Sequence, residues 1–439
     1  MRCMVCDKKT TWKNIDEYRY SKKDMHICTT CGFVSYPQRY KKPEEMRDYY
    51  RNDYRTPPTV ESLLTGTKKI YYHESFLQDV LQKWGEAGKK NPVISDVGAA
   101  YGLFLNWWRH VKDGKTGQLL FPEIDLNGVE LTQSFRRNAF HEFGLDLKED
   151  FDDSKKYDLI SSYKVAEHIF DVDKHLENYH KCLKDDGFLY ISVPTWFKKL
   201  SNFGMEGFDI EYYYHPDHVN VWHEGHFKKI LHRSGFKIIK SDHYMYDDTY
   251  LCQKIPAGES IPETEMFSYE QIMDLVKRTK EASDHVLNNK FDEAIDAFPN
   301  FPMAWRALYE YNKPKFHKEG WEWIEKNIAE KALSVDPEDC DYLMFAADLY
   351  MRYAKYDKAI ELMQKGVRNR PKDATFFANI ANSLRALVEK ETDMKKKNSF
   401  ITQARDVCRF IRDHHPGMLA QSVNWIYNDN ASLPTKYEK

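Results

Sequence analysis

The chain lacks three features that would each have assigned it to a class of protein. No run of apolar residues approaches the twenty or so that a membrane-spanning helix needs, so we expect no span. The 65 Lys and Arg are balanced by 68 Asp and Glu, and a net charge of −3 leaves no global basic surface for nucleic acid. Only eight cysteines occur in 439 residues, and four of them are scattered singly, as in a reduced protein. With 42% hydrophobic and 15% aromatic residues, the composition favours a cytoplasmic enzyme of about two to four packed domains.

The most informative segment is a turn of small residues that follows a buried strand. The apolar run 92–95 leads into the sequence DVGAAYG, residues 96–102. Glycines without a Cβ allow unusual backbone angles and let the backbone approach a ligand closely, and the residues from Leu103 onward predict a helix packed on the sheet. The segment therefore indicates a cofactor-binding loop. An ordinary strand–turn–helix is one alternative and a nicotinamide-dependent reductase is another, although the loop departs from G-x-G-x-x-G.

Further strands follow the loop at regular intervals. Residues 128–131 predict a strand end at Glu130, whose carboxylate can accept both hydroxyls of a cofactor ribose. Residues 156–163 and 186–194 predict two more strands, the first ending at Tyr163. Because helical segments separate these strands, the pattern predicts a doubly wound α/β sheet.

From residue 71 to 256 the chain resembles the class I S-adenosylmethionine-dependent methyltransferases, which have a Rossmann-like fold. The resemblance rests on three motifs in order: DVGAAYG, VEL and YDLISSYKVAEHIFDVDKHLENYHKCLKDDGFLYISVP. It implies S-adenosylmethionine as the cofactor. It also implies a binding set formed by the loop, the ribose acid and the third strand end: Asp96, Gly98, Ala100, Gly102, Glu130, Leu131 and Tyr163. The distance from loop to ribose acid exceeds that usual in the family, so we place an insertion at residues 112–126.

The N-terminus carries two Cys-x-x-Cys pairs with twenty-one residues between them: Cys3, Cys6, Cys28 and Cys31. Two knuckles of this spacing predict one tetrahedral, structural zinc ion held by four thiolates. Two disulfides are the alternative. The other cysteines are scattered singly as in a reduced protein, which favours zinc: Cys182, Cys252, Cys340 and Cys408.

Two segments could orient or deprotonate the acceptor of a methyl group. Glu167-His168 follows the Tyr163 strand, and the resemblance places this pair on the cofactor and acceptor side; a cap on the following helix is its alternative. The segment YYYHPDHVNVWHEGHF, residues 212–227, offers polar tips on apolar rings that suit a hydroxylated acceptor, with hydrogen bonds to loop backbone as its alternative. The predicted catalytic residues are His218, Tyr214, Asp217 and His168.

The four-cysteine module and a tyrosine-rich linker before the fold are similar to those of zinc-bearing sugar C-methyltransferases. In this resemblance Tyr214 and Asp217-His218 stand for the family's Tyr-His-Glu-His pattern, which here is YHPDH, with one extra residue and Asp for Glu. Helical repeats replace the large C-terminal substrate domain of those enzymes. The resemblance therefore implies a sugar-type acceptor, and the departures leave O- or N-methylation compatible.

From Glu263 onward the pattern predicts helices alone. Residues 340–373 form a thirty-four-residue unit with tetratricopeptide-like positions at Ala347, Tyr350, Tyr356, Ala359, Gly366 and Pro371. A second unit starts at Ala374, and degenerate units precede both. We expect a short all-α repeat domain whose terminal elements act as caps, with plain helix–helix core as the alternative for each residue.

These patterns divide the chain into a zinc ribbon, a tyrosine-rich linker, a methyltransferase domain and a helical-repeat domain, over residues 1–45, 46–70, 71–257 and 270–439. The expected function is methyl transfer from S-adenosylmethionine to a sugar nucleotide or glycan precursor. The repeats are expected to contact a protein partner or the substrate, and no nucleic-acid partner is expected. Two alternatives stay open, namely a protein or RNA methyltransferase and an inactive methyltransferase-fold scaffold.

Overall fold

The computed structural model describes residues 2–18, 25–35, 43–52, 73, 76–113, 116–195, 203–204, 207–208, 218–244, 247–256, 258–370 and 374–414. Two of the predicted catalytic residues, Tyr214 and Asp217, lie outside this part of the chain. The chain divides into two compact units, the first of residues 1–59 and 79–298 and the second of residues 60–78 and 299–439. Within the described ranges, no helix is long and apolar enough to cross a membrane.

The described strands, in chain order, are β1 (Trp12–Asn14), β2 (His26–Cys28), β3 (Val34–Ser35), β4 (Val93–Val97), β5 (Asp125–Val129), β6 (Tyr157–Tyr163), β7 (Leu183–Pro194), β8 (Phe203–Gly204), β9 (Gly207–Phe208), β10 (Asn220–Val221), β11 (Phe236–Tyr244) and β12 (Asp247–Lys254). The helices of the first unit are α1 (Pro43–Asn52), α2 (Gln78–Glu86), α3 (Leu103–His110), α4 (Gln133–Phe143), α5 (Val172–Cys182), α6 (Glu224–Arg233), α7 (Tyr269–Leu287) and α8 (Phe291–Ala297). The helices of the second unit are α9 (Pro302–Glu319), α10 (Trp321–Ile324), α11 (Glu330–Val335), α12 (Cys340–Arg352), α13 (Tyr356–Asn369), α14 (Ala374–Lys390) and α15 (Met394–His414).

A six-stranded mixed sheet forms the centre of the first unit, in the order β11-β12-β7-β6-β4-β5. The four strands from β7 to β5 pair in parallel, and β12 and β11 add an antiparallel edge. Nearly every residue of β6 and of the second half of β7 is buried, as expected for parallel strands covered on both faces. The strand order reverses at β4, and in such sheets ligands bind outside the carboxyl ends of the strands at the reversal. The predicted Rossmann-like α/β sheet is confirmed.

A second, four-stranded sheet contains the cysteine knuckles, in the order β1-β2-β3-β10. Its last strand comes from residues 220–221, so the N-terminal segment shares a sheet with the middle of the chain. Helix α7 covers this sheet with Ile272 and Val276, which pack against Ile27 and Val221. Gly32 has φ of +73°, and a Cβ there would lie 2.6 Å from Cγ1 of Ile272. Only glycine lets the knuckle turn approach the helix so closely.

The second unit contains the C-terminal helical domain predicted from the sequence. Its helices α12, α13, α14 and α15 pack in chain order. Ala347 and Ala359 are fully buried, and a Cβ at Gly366 would lie 2.2 Å from the ring of Phe376 on α14. Small residues therefore allow close helix contacts, as the repeat pattern predicts, and the tetratricopeptide assignment itself stays a prediction. Residues 269–297, which form α7 and α8, lie in the first unit.

Candidate active site at the carboxyl edge of the sheet

The loop after β4 has the backbone geometry expected of a cofactor loop. Gly98, Ala100 and Gly102 all have positive φ angles, of 74°, 48° and 77°. The backbone N–H of Gly98 donates to the carbonyl of Val129 at 2.8 Å, which ties the loop to the end of β5. A Cβ at Gly98 would lie 2.5 Å from Cγ2 of Val165, so the position excludes any larger residue. The loop thus presents bare backbone at the strand reversal.

Glu130 holds this loop from the neighbouring strand. Its Oε2 accepts the backbone N–H of Ala100 at 2.9 Å, and its Oε1 accepts that of Thr132 at 2.8 Å. The first bond supports Ala100 in a backbone conformation that alanine rarely adopts. Arg136 donates to the carbonyls of Glu130 and Leu131, at 2.6 Å each, and fixes the start of α4. The carboxylate is partly exposed and keeps lone pairs for a ligand.

Asp96, at the end of β4, is buried beneath the loop. Its Oδ1 accepts the hydroxyl of Ser161 at 2.5 Å. Burial raises the pKa of Asp96 to about 7; the Ser161 hydrogen bond opposes this shift and the charge of Glu130 adds to it. The residue therefore titrates near neutral pH.

A second cluster lies where β6 ends. The hydroxyl of Tyr163 donates to Oδ2 of Asp247 at 3.0 Å, and Nζ of Lys164 lies 2.9 Å from the same oxygen. Lys164 has a positive φ of 59°, which turns the chain sharply after the strand. Tyr163 was expected to contact the cofactor, and that contact stays a prediction. The bond from Tyr163 to Asp247 could not be predicted from the sequence.

A third cluster brings Glu167 and His168 together with His218. Nε2 of His168 lies 3.7 Å from Oε1 of Glu167, and the rings of His168 and His218 are 5.1 Å apart. The hydroxyl of Tyr50, on α1, lies 2.7 Å from Nδ1 of His168. Glu167 is 1% exposed, and burial raises its pKa to about 8; the charge of Lys164 opposes the shift. Two of the four predicted catalytic residues, His168 and His218, are thus neighbours.

Three backbone connections hold this third cluster in place. The carbonyl of Glu167 accepts the backbone N–H of Val219 at 2.8 Å. The side chain of Asn220 donates to the carbonyl of Ile169 at 2.6 Å. The hydroxyl of Ser35, in the cysteine-bearing sheet, donates to the carbonyl of Val219 at 3.0 Å. The chain from 218 to 221 therefore connects the cysteine-bearing sheet to the carboxyl edge of the main sheet.

The helix-cap alternative for Glu167 and His168 is wrong. Helix α5 is capped by Asp171, whose side chain accepts the backbone N–H of Lys174 at 3.1 Å. The backbone-bonding alternative holds for two other histidines of the 212–227 segment. His223 accepts the N–H of Gly225 at the start of α6, and the ring of His226 lies 2.7 Å from the carbonyl oxygen of Cys31.

A fourth group, at the antiparallel edge, was not found from the sequence. Nδ1 of His243 lies 2.8 Å from Oδ1 of Asp248, and the hydroxyl of Tyr250 donates to Oδ2 of the same carboxylate at 3.0 Å. The register pairs Asp248 with Val193, near the carboxyl end of β7. The signal in the sequence is the acidic pair at 247–248, and it indicates a site only once β12 is known to pair with the carboxyl end of β7.

The four N-terminal cysteines form one cluster whose sulfur atoms all lie within 4.8 Å of one another. Sγ of Cys3 is 3.7 Å from that of Cys31, and Sγ of Cys6 is 3.9 Å from that of Cys28. These separations are too long for a disulfide bond, which is about 2.05 Å. A tetrahedral zinc ion with bonds of about 2.3 Å requires sulfurs about 3.8 Å apart. The backbone N–H of Thr30 also points at Sγ of Cys28, at 3.4 Å. The cluster therefore has the donor set and dimensions of a four-thiolate zinc site.

Residues 70–241 match a family model described as "Methyltransferase domain". The matched segment includes the loop after β4, Glu130 and the turn that carries Glu167 and His168. The chain thus carries a methyltransferase domain and is an S-adenosylmethionine-dependent methyltransferase, as predicted from the sequence.

Three solved structures illustrate the similarity to known folds. The 1,6-didemethyltoxoflavin-N1-methyltransferase of Burkholderia thailandensis is 14% identical, and the match covers 54% of this chain and 99% of that chain with a TM-score of 0.33. A methyltransferase from Aquifex aeolicus is 13% identical over 45% of this chain and 100% of its own, with a TM-score of 0.30. One from Clostridium acetobutylicum is 14% identical over 41% and 91%, with a TM-score of 0.31. Similarity this weak carries no argument about acceptor or mechanism. No curated protein matches the chain.

Proposed function

We propose that this methyltransferase acts on a small hydroxylated acceptor, a sugar nucleotide or glycan precursor. The observation that carries the proposal is the cluster of Tyr50, Glu167, His168 and His218 beside the cofactor loop. These side chains offer one hydroxyl, one carboxylate and two imidazoles at a largely buried site. Groups of this kind bind and orient hydroxyls, and the burial favours a small molecule over the surface of a folded macromolecule.

S-adenosylmethionine fits the residues at the strand reversal. The backbone of Gly98 and Ala100 would border it, because a side chain at Gly98 has no room. Glu130 would accept the ribose hydroxyls with the lone pairs left after its two backbone bonds. The cofactor supplies a methyl group on a sulfonium, which leaves as a neutral thioether once the methyl has moved. Leu131, Gly102 and Asp96 complete the proposed binding set.

The protein's own task is to place the acceptor and remove its proton. We assign this task to His168 and His218, with Tyr50 fixing the ring of His168. Lys164 and Asp247 border the same edge as an ion pair at 2.9 Å and would contact polar groups of the acceptor. Tyr214 and Asp217 remain candidates from the sequence alone.

We further propose that the four cysteines bind one structural zinc ion. The sheet that carries them shares its fourth strand with the chain from His218 onward, and Ser35 bonds to Val219. Zinc would therefore stabilise the acceptor side of the catalytic domain as well as the N-terminus. The helical domain is proposed to bind a protein partner or extend the acceptor site.

Partition of transferred label tests the acceptor class. Full-length protein with methyl-labelled S-adenosylmethionine is offered a panel of sugar nucleotides, total RNA and cell protein in parallel reactions. With S-adenosylmethionine below its Kd, we expect label in the sugar-nucleotide fraction about 30-fold above the level of Glu130→Ala, with Glu142→Ala on the exposed face of α4 as a matched control. Label confined to RNA or protein would establish the alternative reading, and no label in any pool would favour a scaffold.

A further inference from the structure

Among the residues that the structure describes, the carboxylate of Glu167 is buried without a hydrogen-bond partner. Glu167 is 1% exposed, and neither of its carboxylate oxygens has a hydrogen-bond partner among the residues that the structure describes. A buried carboxylate in this state is costly unless a cation or proton neutralises it. The backbone around Glu167 is fixed, since the backbone N–H of Val219 donates to the carbonyl of Glu167. The described residues therefore hold this side chain in place for a cation or a proton that they do not themselves supply.

Two imidazoles border this carboxylate. Glu167, His168 and His218 each offer one ligand atom, and the three atoms lie within 4.8 Å of one another. Nε2 of His168 is 3.7 Å from Oε1 of Glu167, which is too long for a hydrogen bond. Two ligands of one ion with bonds of about 2.1 Å lie about 3.0 to 3.4 Å apart, so the pair of His168 and Glu167 needs to close by only a few tenths of an ångström and no pair needs to close by more than about 1.8 Å.

Tyr50 sets His168 in the orientation that a metal ligand needs. Its hydroxyl lies 2.7 Å from Nδ1, leaving Nε2 on the side of Glu167. When Nδ1–H donates to the tyrosine oxygen, Nε2 keeps its lone pair for an ion. Metal-binding histidines regularly donate their second N–H in this manner.

The surrounding charge also suits a cation. Lys164, whose charge acts on Glu167, is paired with Asp247 at 2.9 Å, so that charge is balanced locally. The three ligands together carry one negative charge when both histidines are neutral. We propose that Glu167, His168 and His218 bind one divalent first-row transition-metal ion, such as zinc or cobalt, whose open positions take a hydroxyl of the acceptor. The second half of this proposal rests on the proposed function. Two imidazoles and one carboxylate favour such an ion over magnesium, which prefers oxygen ligands.

Metal binding to the full-length protein tests the proposal without any acceptor. Protein freed of metal with a chelator is titrated with Co²⁺, and the visible spectrum separates an ion bound by thiolates from an ion bound by nitrogen and oxygen. We expect two equivalents in the wild type, one of each kind. Glu167→Gln and His218→Ala should weaken the nitrogen–oxygen equivalent at least about 100-fold, and His141→Ala, on the exposed face of α4, should leave both unchanged.

A conservative variant distinguishes loss of the metal site from misfolding of the ligand variants. Tyr50→Phe keeps the ring and removes only the hydroxyl against His168, so it should weaken the second equivalent by about 10- to 100-fold with an unchanged melting temperature. Binding of only the thiolate-held ion by the wild type, or full second-site binding in Tyr50→Phe and Glu167→Gln, would overturn the proposal. If the wild type binds two equivalents of metal but methylates no sugar nucleotide, the metal site is supported and the proposed acceptor is rejected.

Discussion

Replacing Glu130 by alanine should weaken cofactor binding through two separable effects. The first is loss of the contact to the ribose hydroxyls, for which one charge-assisted hydrogen bond contributes about 1.5 to 3 kcal/mol. The second is loss of the bond to the N–H of Ala100, at 2.9 Å, which supports a residue with φ of 48°. Such a conformation costs alanine about 1 kcal/mol or more. Together these effects should weaken binding by at least about 2 kcal/mol, or about 30-fold in Kd.

The two effects can be separated with a second substitution. Ala100→Gly removes the strain of the positive φ, so it should restore part of the affinity to Glu130→Ala but not the ribose contact. Ala100→Gly alone should bind S-adenosylmethionine about as well as the wild type.

Titration calorimetry of the wild type, both single variants and the double variant measures these differences, with circular dichroism to show that each is folded. Glu142→Ala serves as the surface control. Wild-type affinity in folded Glu130→Ala would refute the reasoning, because neither the ribose contact nor the loop support could then exist.

Three further predictions concern the metal, the buried acid and the helical domain. Cys28→Ser should release one zinc equivalent per chain, measured by elemental analysis, and raise protease sensitivity near the N-terminus while the main sheet stays folded; a folded wild type without zinc would contradict this. In protein without cofactor, the unfolding free energy of the wild type should fall relative to that of Asp96→Asn as pH rises from about 4 to about 7, by on the order of 4 kcal/mol. The reason is that burial raises the native pKa of Asp96 from 3.8 to about 7, so the native state binds the proton more tightly than the unfolded state does. Parallel urea titrations that show no such divergence would reject the burial argument. Truncation after residue 298 should retain cofactor affinity, whereas truncation after residue 268 also removes α7 and should expose the apolar face of the cysteine-bearing sheet, seen as dye binding or insolubility. Equal behaviour of the two truncations would count against a structural role for α7.

The parts of the fold that could be predicted from the sequence are those that depend on residues close together in the chain. The loop of residues 96–102 and the strand ending at Glu130 follow from small residues and apolar runs that lie within a few positions of one another. The Cys-x-x-Cys pairs likewise predict a cluster from spacing alone. Each of these signals needs only a short stretch of chain.

The features that could not be predicted depend on pairings between distant segments. Strand β10 has two residues and so no periodicity, yet it pairs with β3 across about 185 positions and sets the place of His218. Tyr50 reaches His168 from a helix that lies more than a hundred positions earlier in the chain. Asp247 reaches Tyr163 only because β12 lies beside β7. The proposed acceptor side is therefore assembled by tertiary contacts, whereas the proposed cofactor side follows from local motifs.

We propose that methyl transfer takes place at the cluster of Glu167, His168 and His218, beside the cofactor loop. Its most direct test is to measure turnover and S-adenosylmethionine affinity in His218→Ala with the best acceptor from the label-partition screen. Whether His218 takes the proton or binds an ion, it acts on the acceptor and not on the donor pocket. We expect turnover to fall by about 100-fold or more while cofactor affinity stays at the wild-type value. Full turnover in this variant would contradict it.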